Sequence, residues 1–296
     1  MTGTGRLTIC TIVRGRERHL RQMMLGVRAQ RQPADRLVIA YMQDEMPTGL
    51  PDMPCELVAI HVKGEAMPLA AARNRAAELA DADHLLFLDV DCIPDPELVR
   101  RVAQELPRAN SQVLLPEVRY LSGERRDWTE AGSDVLDYDA MVRNGVRHPA
   151  KPLLDGVSVR REPDHGELWG LAFALHAADW QKAGGMDEDY RGYGAEETDF
   201  AYRLQSAGID LAWLGRTKVY HQHHAVHVPP LHHFEAIIRN ARLFHTRWGR
   251  WCMDYWLGQF ADIGLVHWEQ NGLEILRQPT QAELAASLQP DSVRFS

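Results

Sequence analysis

Three stretches of the chain gather side chains able to do chemistry. "LLFLDVDCIP" (Leu85–Pro94) ends an apolar run with Asp89 and Asp91. "GGMDEDYRGYGAEETDFAYRL" (Gly184–Leu204) places Glu196, Glu197 and Asp199 just behind Gly192, Gly194 and Ala195. "VYHQHHAVH" (Val219–His227) carries His221, His223, His224 and His227. Carboxylates two apart on a regular strand point to the same side. Where the chain turns at a strand end, one can hold a divalent ion while the other meets a ribose or a water on that ion. Oxygen ligands of this kind suit Mg²⁺ or Mn²⁺. An aspartate capping a turn or helix explains a lone Asp-x-Asp equally well, but the place of this pair after Leu85–Leu88 favours the metal.

Acidic residues in the first turn of a helix are favoured by the macrodipole and by capping. That accounts for one or two of Glu196, Glu197 and Asp199, not for the Gly-Tyr-Gly-Ala approach, which lets a substrate come close to the backbone. A carboxylate held there can serve as general base towards a hydroxyl. The histidine spacing matches no structural zinc site, and no cysteine is near. One histidine completing a carboxylate-based metal site is the economical reading, with His221 the best placed; most of the others read as solvated loop or helix-entry residues.

The elements that must position these groups alternate strand and helix. Strands are expected at Arg6–Val13, Arg36–Met42, Cys55–Val62, His84–Val90 and Ser111–Leu121. Helices are expected over residues 14–30, 66–82, about 94–106, near Ser133–Arg143, and over Ala195–Gly208, where Phe200, Leu204 and Ala207 share a face and Gly208 is a C-cap candidate. Two short strands follow, at Ile209–Gly215 and Thr217–His221, and an aromatic-rich helical region runs from His232 to about Gly264. The alternation predicts an α/β sandwich with a mostly parallel sheet. Ligands of such sheets sit at the carboxyl ends of the strands, where Asp44 and the Asp89/Asp91 pair fall.

With 45% hydrophobic and 25% charged residues the chain reads as globular, and 296 residues suit one large α/β domain or two small ones. A net charge of −8 argues against a nucleic-acid binder. Four scattered cysteines without a Cys-x-x-Cys pair indicate neither a disulfide framework nor a zinc knuckle, which fits a reducing, cytoplasmic setting. No signal-peptide pattern opens the sequence, and no apolar run approaches the ~18 residues of a spanning helix. Peripheral membrane contact and homo-oligomerisation stay open.

Taken together, these residues resemble the GT-A fold nucleotide-diphospho-sugar glycosyltransferases, most closely glycosyltransferase family 2 and the galactosyltransferase C-terminal region. "AAARNRAAELADADHLLFLDVDC" is similar to that family's Ala-Arg-Asn stretch leading to its DxD motif. The Gly184–Leu204 block resembles its Gly-Gly-Phe…Gly-Tyr-Gly-Ala-Glu-Asp…Arg-Leu segment, and "VYHQHH" its Tyr-His-Gln segment with the last metal ligand. The family's usual opening Pro-Thr-Tyr-Asn-Arg is replaced here by Thr11-Ile12-Val13-Arg14-Gly15-Arg16. The resemblance spans roughly residues 5–265. It implies Asp91 and His221 as ligands of Mn²⁺ (or Mg²⁺), with Asp89 on the ribose or a metal-bound water. It implies Thr11, Val13, Arg14, Asp44, Arg73, Asn74, Asp89 and Val90 around a nucleotide, with UDP the expected one. Trp169, Gly170, Tyr193, Gly194 and Glu196 would line the sugar and acceptor pocket. Glu197 falls at the catalytic base, usually Asp, with Glu196 as the alternative.

The implied activity is metal-dependent, inverting sugar transfer to a hydroxyl of a saccharide or other small acceptor. The rivals are a sugar-nucleotide nucleotidyltransferase, weakened by the want of a Gly-rich phosphate loop after the first strand, and a non-catalytic carbohydrate-binding GT-A protein. The expected organisation is a catalytic domain over residues 1–230, divided at 110 into nucleotide-binding and acceptor halves, with a mobile loop at 122–165. A helical extension at 231–278 and a loosely held tail at 279–296 follow.

Overall fold

The computed structural model describes residues 5–64 and 67–295. Its first half is built from β1 (Leu7–Val13), α1 (Glu17–Arg28), β2 (Arg36–Tyr41), β3 (Glu56–His61), α2 (Leu69–Glu78), β4 (His84–Leu88), β5 (Cys92–Pro94) and α3 (Leu98–Glu105). Then come β6 (Gln112–Tyr120), α4 (Tyr138–Asn144), β7 (Val146–Arg147), β8 (Val159–Glu162), β9 (Ala172–His176), α5 (Ala177–Ala183), α6 (Glu196–Ser206) and β10 (Asp210–His221). The chain closes with α7 (Phe234–Trp248), α8 (Asp254–Asp262), the hairpin β11 (Val266–Glu269) and β12 (Gly272–Ile275), and α9 (Gln281–Ser287).

The main sheet runs β3-β2-β1-β4-β9-β6-β10-β5, with β7 on β6 and β8 on β10. Its first four strands are parallel, as expected. The other half is mixed: β9 runs antiparallel between β4 and β6, β6 and β10 are parallel, and β5 returns antiparallel on β10. Side-chain alternation explains why its central strands read as continuous apolar runs, since both faces are buried. Ile9, Val13, Leu86 and Leu88 pack with Leu20, Met23, Val99 and Val102 of α1 and α3. Cys10, Ile12, Leu85 and Phe87 pack on the opposite side with Ala72, Trp180, Phe200 and Leu204 of α2, α5 and α6. The result is three layers, α/β/α.

Four expectations change. The fourth strand stops at Leu88, two residues early, because the chain turns there, with the Cys92 amide donating to the Asp89 carbonyl at 2.9 Å. Asp89 and Asp91 therefore lie on a turn rather than on one strand face. The two short strands before His221 are a single strand, β10, with an irregularity between Leu214 and Lys218 where Arg216 has φ 62°. Residues 122–165, expected as a mobile loop, are tied down. Trp128 is buried, its amide bonds Gln22 Oε1 at 2.6 Å, and β7 and β8 both join the sheet. The tail from 279, expected to be loosely held, forms α9 behind a Thr280/Glu283 capping box. Beyond α9 it docks beside the sheet's carboxyl edge, where Arg294 donates to the Tyr120 carbonyl at 3.0 Å and Phe295 packs edge-to-face against Tyr120 and His148.

The chain steps from β1 outwards to β2 and β3, then returns to lay β4 on the other flank of β1. The point where strand order reverses is where a parallel sheet leaves a crevice beyond its carboxyl ends. Here that crevice lies between the end of β1 (Arg14–Arg16) and the end of β4 (Asp89–Asp91). No helix among the described residues is long and apolar enough to cross a membrane.

Candidate active site

Two clusters meet at this crevice. The first forms because β5 pairs antiparallel with β10, setting His221 opposite Cys92 and so beside Asp91. His221 Nε2 lies 3.5 Å from Asp91 Oδ1, and His224 Nε2 lies 3.8 Å from Asp91 Oδ2. One donor atom from each of Asp91, His221 and His224 falls within 4.8 Å of the others. Burial lowers the pKa of His221 and pushes that of His224 down to about 4, in both cases against the pull of Asp91. Both imidazoles are therefore uncharged at neutral pH and offer lone pairs. Burial alone would raise the Asp91 carboxyl; the adjacent His221, then Arg16 and His224, more than reverse this and hold it below the usual carboxylate range. With the imidazoles neutral, the full positive charge facing it is Arg16, whose Nη1 contacts Asp91 Oδ2.

The second cluster centres on Arg73 of α2. Its side chain is 3% exposed and reaches Asp89 at 3.1 Å, Glu197 at 3.2 Å and Glu196 at 3.3 Å. One guanidinium against three carboxylates leaves excess negative charge. Burial, reinforced by Asp91 and opposed by Arg73, raises the Asp89 carboxyl to about 6. Burial and then the Glu196 charge push Glu197 well above the ordinary glutamate range. The two glutamates differ in access: the Glu196 side chain is 4% exposed and that of Glu197 28%. Of the two, Glu197 is the one open to the crevice.

Backbone conformation makes room for both clusters. Gly170 has φ 68°, and a Cβ there would stand 2.1 Å from Glu197 Oε1. The approach to α6 runs through Gly192 (φ 75°), Gly194 (φ 93°) and Ala195 (φ 74°). Asn240 of α7 ties that loop down, its Nδ2 donating to the carbonyls of Gly194 at 2.8 Å, Arg191 at 3.1 Å and Tyr193 at 3.3 Å. Tyr193 stacks on His233 at 4.5 Å and leaves part of its ring exposed.

The other expected residues divide. Thr11, Val13 and Val90 are buried beneath the crevice, and the Thr11 hydroxyl finds no partner among the described residues. Arg14 and Asp44 are exposed at the ends of β1 and β2. Asn74 turns away from the crevice: its Nδ2 bonds the Met186 carbonyl at 2.8 Å and Glu188 Oε1 at 2.9 Å. Trp169 has a covered face, with Lys151 Nζ 3.1 Å from its ring centre. Asp199 is structural, buried and bonded by Arg203, Trp248 and Tyr190. Of the further histidines, the structure brings in His224 and sends His223 to the Val293 carbonyl at 3.0 Å. His224 lay in the quoted histidine run, but nothing in its spacing marks it over His223, because β10 ends at His221 and strand periodicity no longer applies. Arg16 and Asn240 carried no sequence signal of their own.

This fold and its crevice define the class. The chain has the GT-A fold, as do the solved structures it resembles. S. aureus TarS 1-349 superposes with a TM-score of 0.53 at 13% identity, covering 81% of this chain and 65% of that one. Its complex with UDP-GlcNAc gives 0.51. GalNAc-T7 with UDP, GalNAc and Mn²⁺ gives 0.50 at 14% identity, covering 75% of this chain and 44% of that one. The chain belongs to glycosyl transferase family 2, whose sequence model matches residues 8–166, more than half of it. A second model, described as the N-terminal domain of galactosyltransferase, matches residues 158–227. Validoxylamine A glucosyltransferase of Streptomyces hygroscopicus subsp. jinggangensis (strain 5008) is 32% identical over 154 residues, which is 48% of this chain and 36% of that protein. The counterpart from subsp. limoneus is also 32% identical, over 34% of its length. The chain thus spans about a third of the curated relatives it matches.

Proposed function

We propose that this protein transfers a sugar from a nucleoside-diphosphate donor, UDP-linked, to a hydroxyl acceptor with inversion, assisted by Mn²⁺ or Mg²⁺. The observation that carries this reading is one crevice at the strand switch point holding both the Asp91–His221–His224 donor set and the Arg73-held pair Glu196 and Glu197. The donor set fits a divalent ion: one carboxylate and two uncharged imidazoles whose Nε2 atoms face it. Such an ion, when bound, supplies positive charge against the departing diphosphate.

The chain's own groups do the rest. Glu197 accepts the proton of the acceptor hydroxyl as its oxygen attacks the anomeric carbon and the nucleoside diphosphate leaves from the opposite face. Arg73 fixes the direction of that carboxylate, and Gly170 keeps its space open. Arg14 and Asp44, exposed beyond β1 and β2, are assigned to the nucleoside, and the partly exposed Tyr193 ring to a sugar face. The solved complexes of the structural neighbours with UDP and UDP-GlcNAc support the choice of donor. Incubation with a panel of UDP-, GDP- and TDP-sugars, reading nucleoside-diphosphate release, tests it. Metal-dependent release from a UDP-sugar that disappears in Asp91→Ala is expected. Pyrophosphate formation from UTP and a sugar 1-phosphate, without release from any donor, would replace this reading with nucleotidyl transfer.

A further inference from the structure

Arg16 occupies an unusual place. It is a non-glycine residue with φ 56° and ψ 36°, at the end of β1 and directly across the switch-point crevice from Asp91. Left-handed backbone is disfavoured for a long side chain. Its guanidinium contacts Asp91 Oδ2, the same oxygen that faces His224, while its own side chain stays 38% exposed. Asp91 is 4% exposed. A carboxylate that deep needs a positive partner, and Arg16 is the guanidinium in contact with it. Arg16 thus supplies the charge that a divalent ion would supply on the same oxygen.

We infer that Arg16 is an internal stand-in for the metal ion, holding Asp91 until metal and nucleotide arrive together, then turning its guanidinium onto the diphosphate. This rests on reading Asp91, His221 and His224 as metal ligands. A metal ion and a guanidinium on the same carboxylate oxygen repel each other, so a metal arriving alone weakens the hold of Arg16 on Asp91 or displaces it, and Arg16 then loses its anion. A metal arriving with a diphosphate gives Arg16 a new one, and a guanidinium suits phosphate oxygens as well as it suits a carboxylate. The half-exposed side chain is free to make that move, and Asp91 never faces the protein interior uncompensated. Metal and nucleotide should accordingly bind with positive coupling, each raising the affinity for the other by the same factor.

The test is Mn²⁺ binding by calorimetry or by the free-ion spin-resonance signal, with and without UDP, on the wild type, Arg16→Gln, Arg16→Lys and Asp91→Ala. Removing a competitor that fills the site raises apparent affinity by the fraction it had blocked. Arg16→Gln should bind Mn²⁺ alone about tenfold more tightly, on the scale of a half-buried ion pair, and the enhancement of Mn²⁺ affinity by UDP should shrink. Arg16→Lys, which keeps the charge, should stay near wild type. Should the Gln variant fold poorly, Arg16→Asn answers the same question, since asparagine tolerates left-handed backbone. Equal or weaker Mn²⁺ binding in the uncharged variants, with Asp91→Ala still abolishing it, would overturn the stand-in role alone. Absence of Mn²⁺ binding from every protein, with or without UDP, would overturn the metal reading and the inference with it.

Discussion

Glu197 is the side chain on which the proposed chemistry turns, and its environment sets a pH signature. Burial and the neighbouring Glu196 raise its pKa. A base works ionised, so activity should fall as pH drops through a value above the usual glutamate pKa of about 4.3. Glu197→Gln should lose roughly 10²- to 10⁴-fold in turnover and the acid limb of the profile, while UDP binding persists by calorimetry. The same shift has a stability sign. The folded state holds this proton more tightly than the unfolded chain, so ionisation costs stability as pH rises through the window from the unfolded to the folded pKa. Above that window Glu197→Gln should melt higher than the wild type, and an equal or lower melting temperature on the alkaline plateau of the activity profile would count against a strained base. Gly170 gives a second test, because a methyl there collides with Glu197 Oε1. Misplacing a catalytic group by about 1 Å costs on the order of 10²-fold, so Gly170→Ala should cut turnover by that much while leaving Mn²⁺ binding at Asp91 unchanged.

Among the elements, α7 does more than pack. Its buried Asn240 holds three carbonyls of the loop that launches α6, the helix bearing Glu196 and Glu197. Asn240→Ala strands those carbonyls and should cost about 1–3 kcal/mol in urea unfolding, with faster amide exchange at 191–195; slow exchange there would show the loop to be self-supporting. Strands and helices of the first half were legible in the sequence because burial on both sheet faces writes long apolar runs, and amphipathic helices write a 3.6-residue period. The end of β4 was misread by two residues because Val90 continues the apolar run although the backbone has already turned. The Glu196/Glu197 cluster was legible through its glycine approach. The contacts of its clamp, Arg73, with three carboxylates were not legible, since nothing local tells a buried arginine which of several carboxylates will surround it.

For the molecule as a whole, the aromatic region at 231–275 resolves into a separate cluster in which Phe234, Ile238, Leu257 and Phe260 pack together, with Trp251, Trp256 and Trp268 against them. A cavity of about 420 Å³ opens where this cluster meets α6, lined by Thr198, Tyr202, Arg250, Trp251 and Asp254. The terminal segment was illegible because its composition is polar and its contacts are far away in sequence. His223 bonds the Val293 carbonyl, the Gly123 amide donates to the Asp291 carbonyl at 2.9 Å, and Phe295 packs edge-to-face on Tyr120, whose ring in turn lies 5.0 Å from the His221 ring. Removal of residues 289–296 should therefore lower the melting temperature and weaken Mn²⁺ binding through His221, measured together on the truncated protein. Loss of stability with full Mn²⁺ affinity would confine the segment to a structural role.

Arg73 also constrains how this sequence can drift. It is the shared counter-ion of Asp89, Glu196 and Glu197. A lineage that replaced Arg73 by a neutral residue would leave three like charges side by side without a counter-ion, and one that neutralised all three carboxylates would leave a buried guanidinium unpaired. Either change is heavily penalised. Arg73 should therefore persist wherever a carboxylate remains at 89, 196 or 197, and its loss together with theirs is the mark to look for among natural variants.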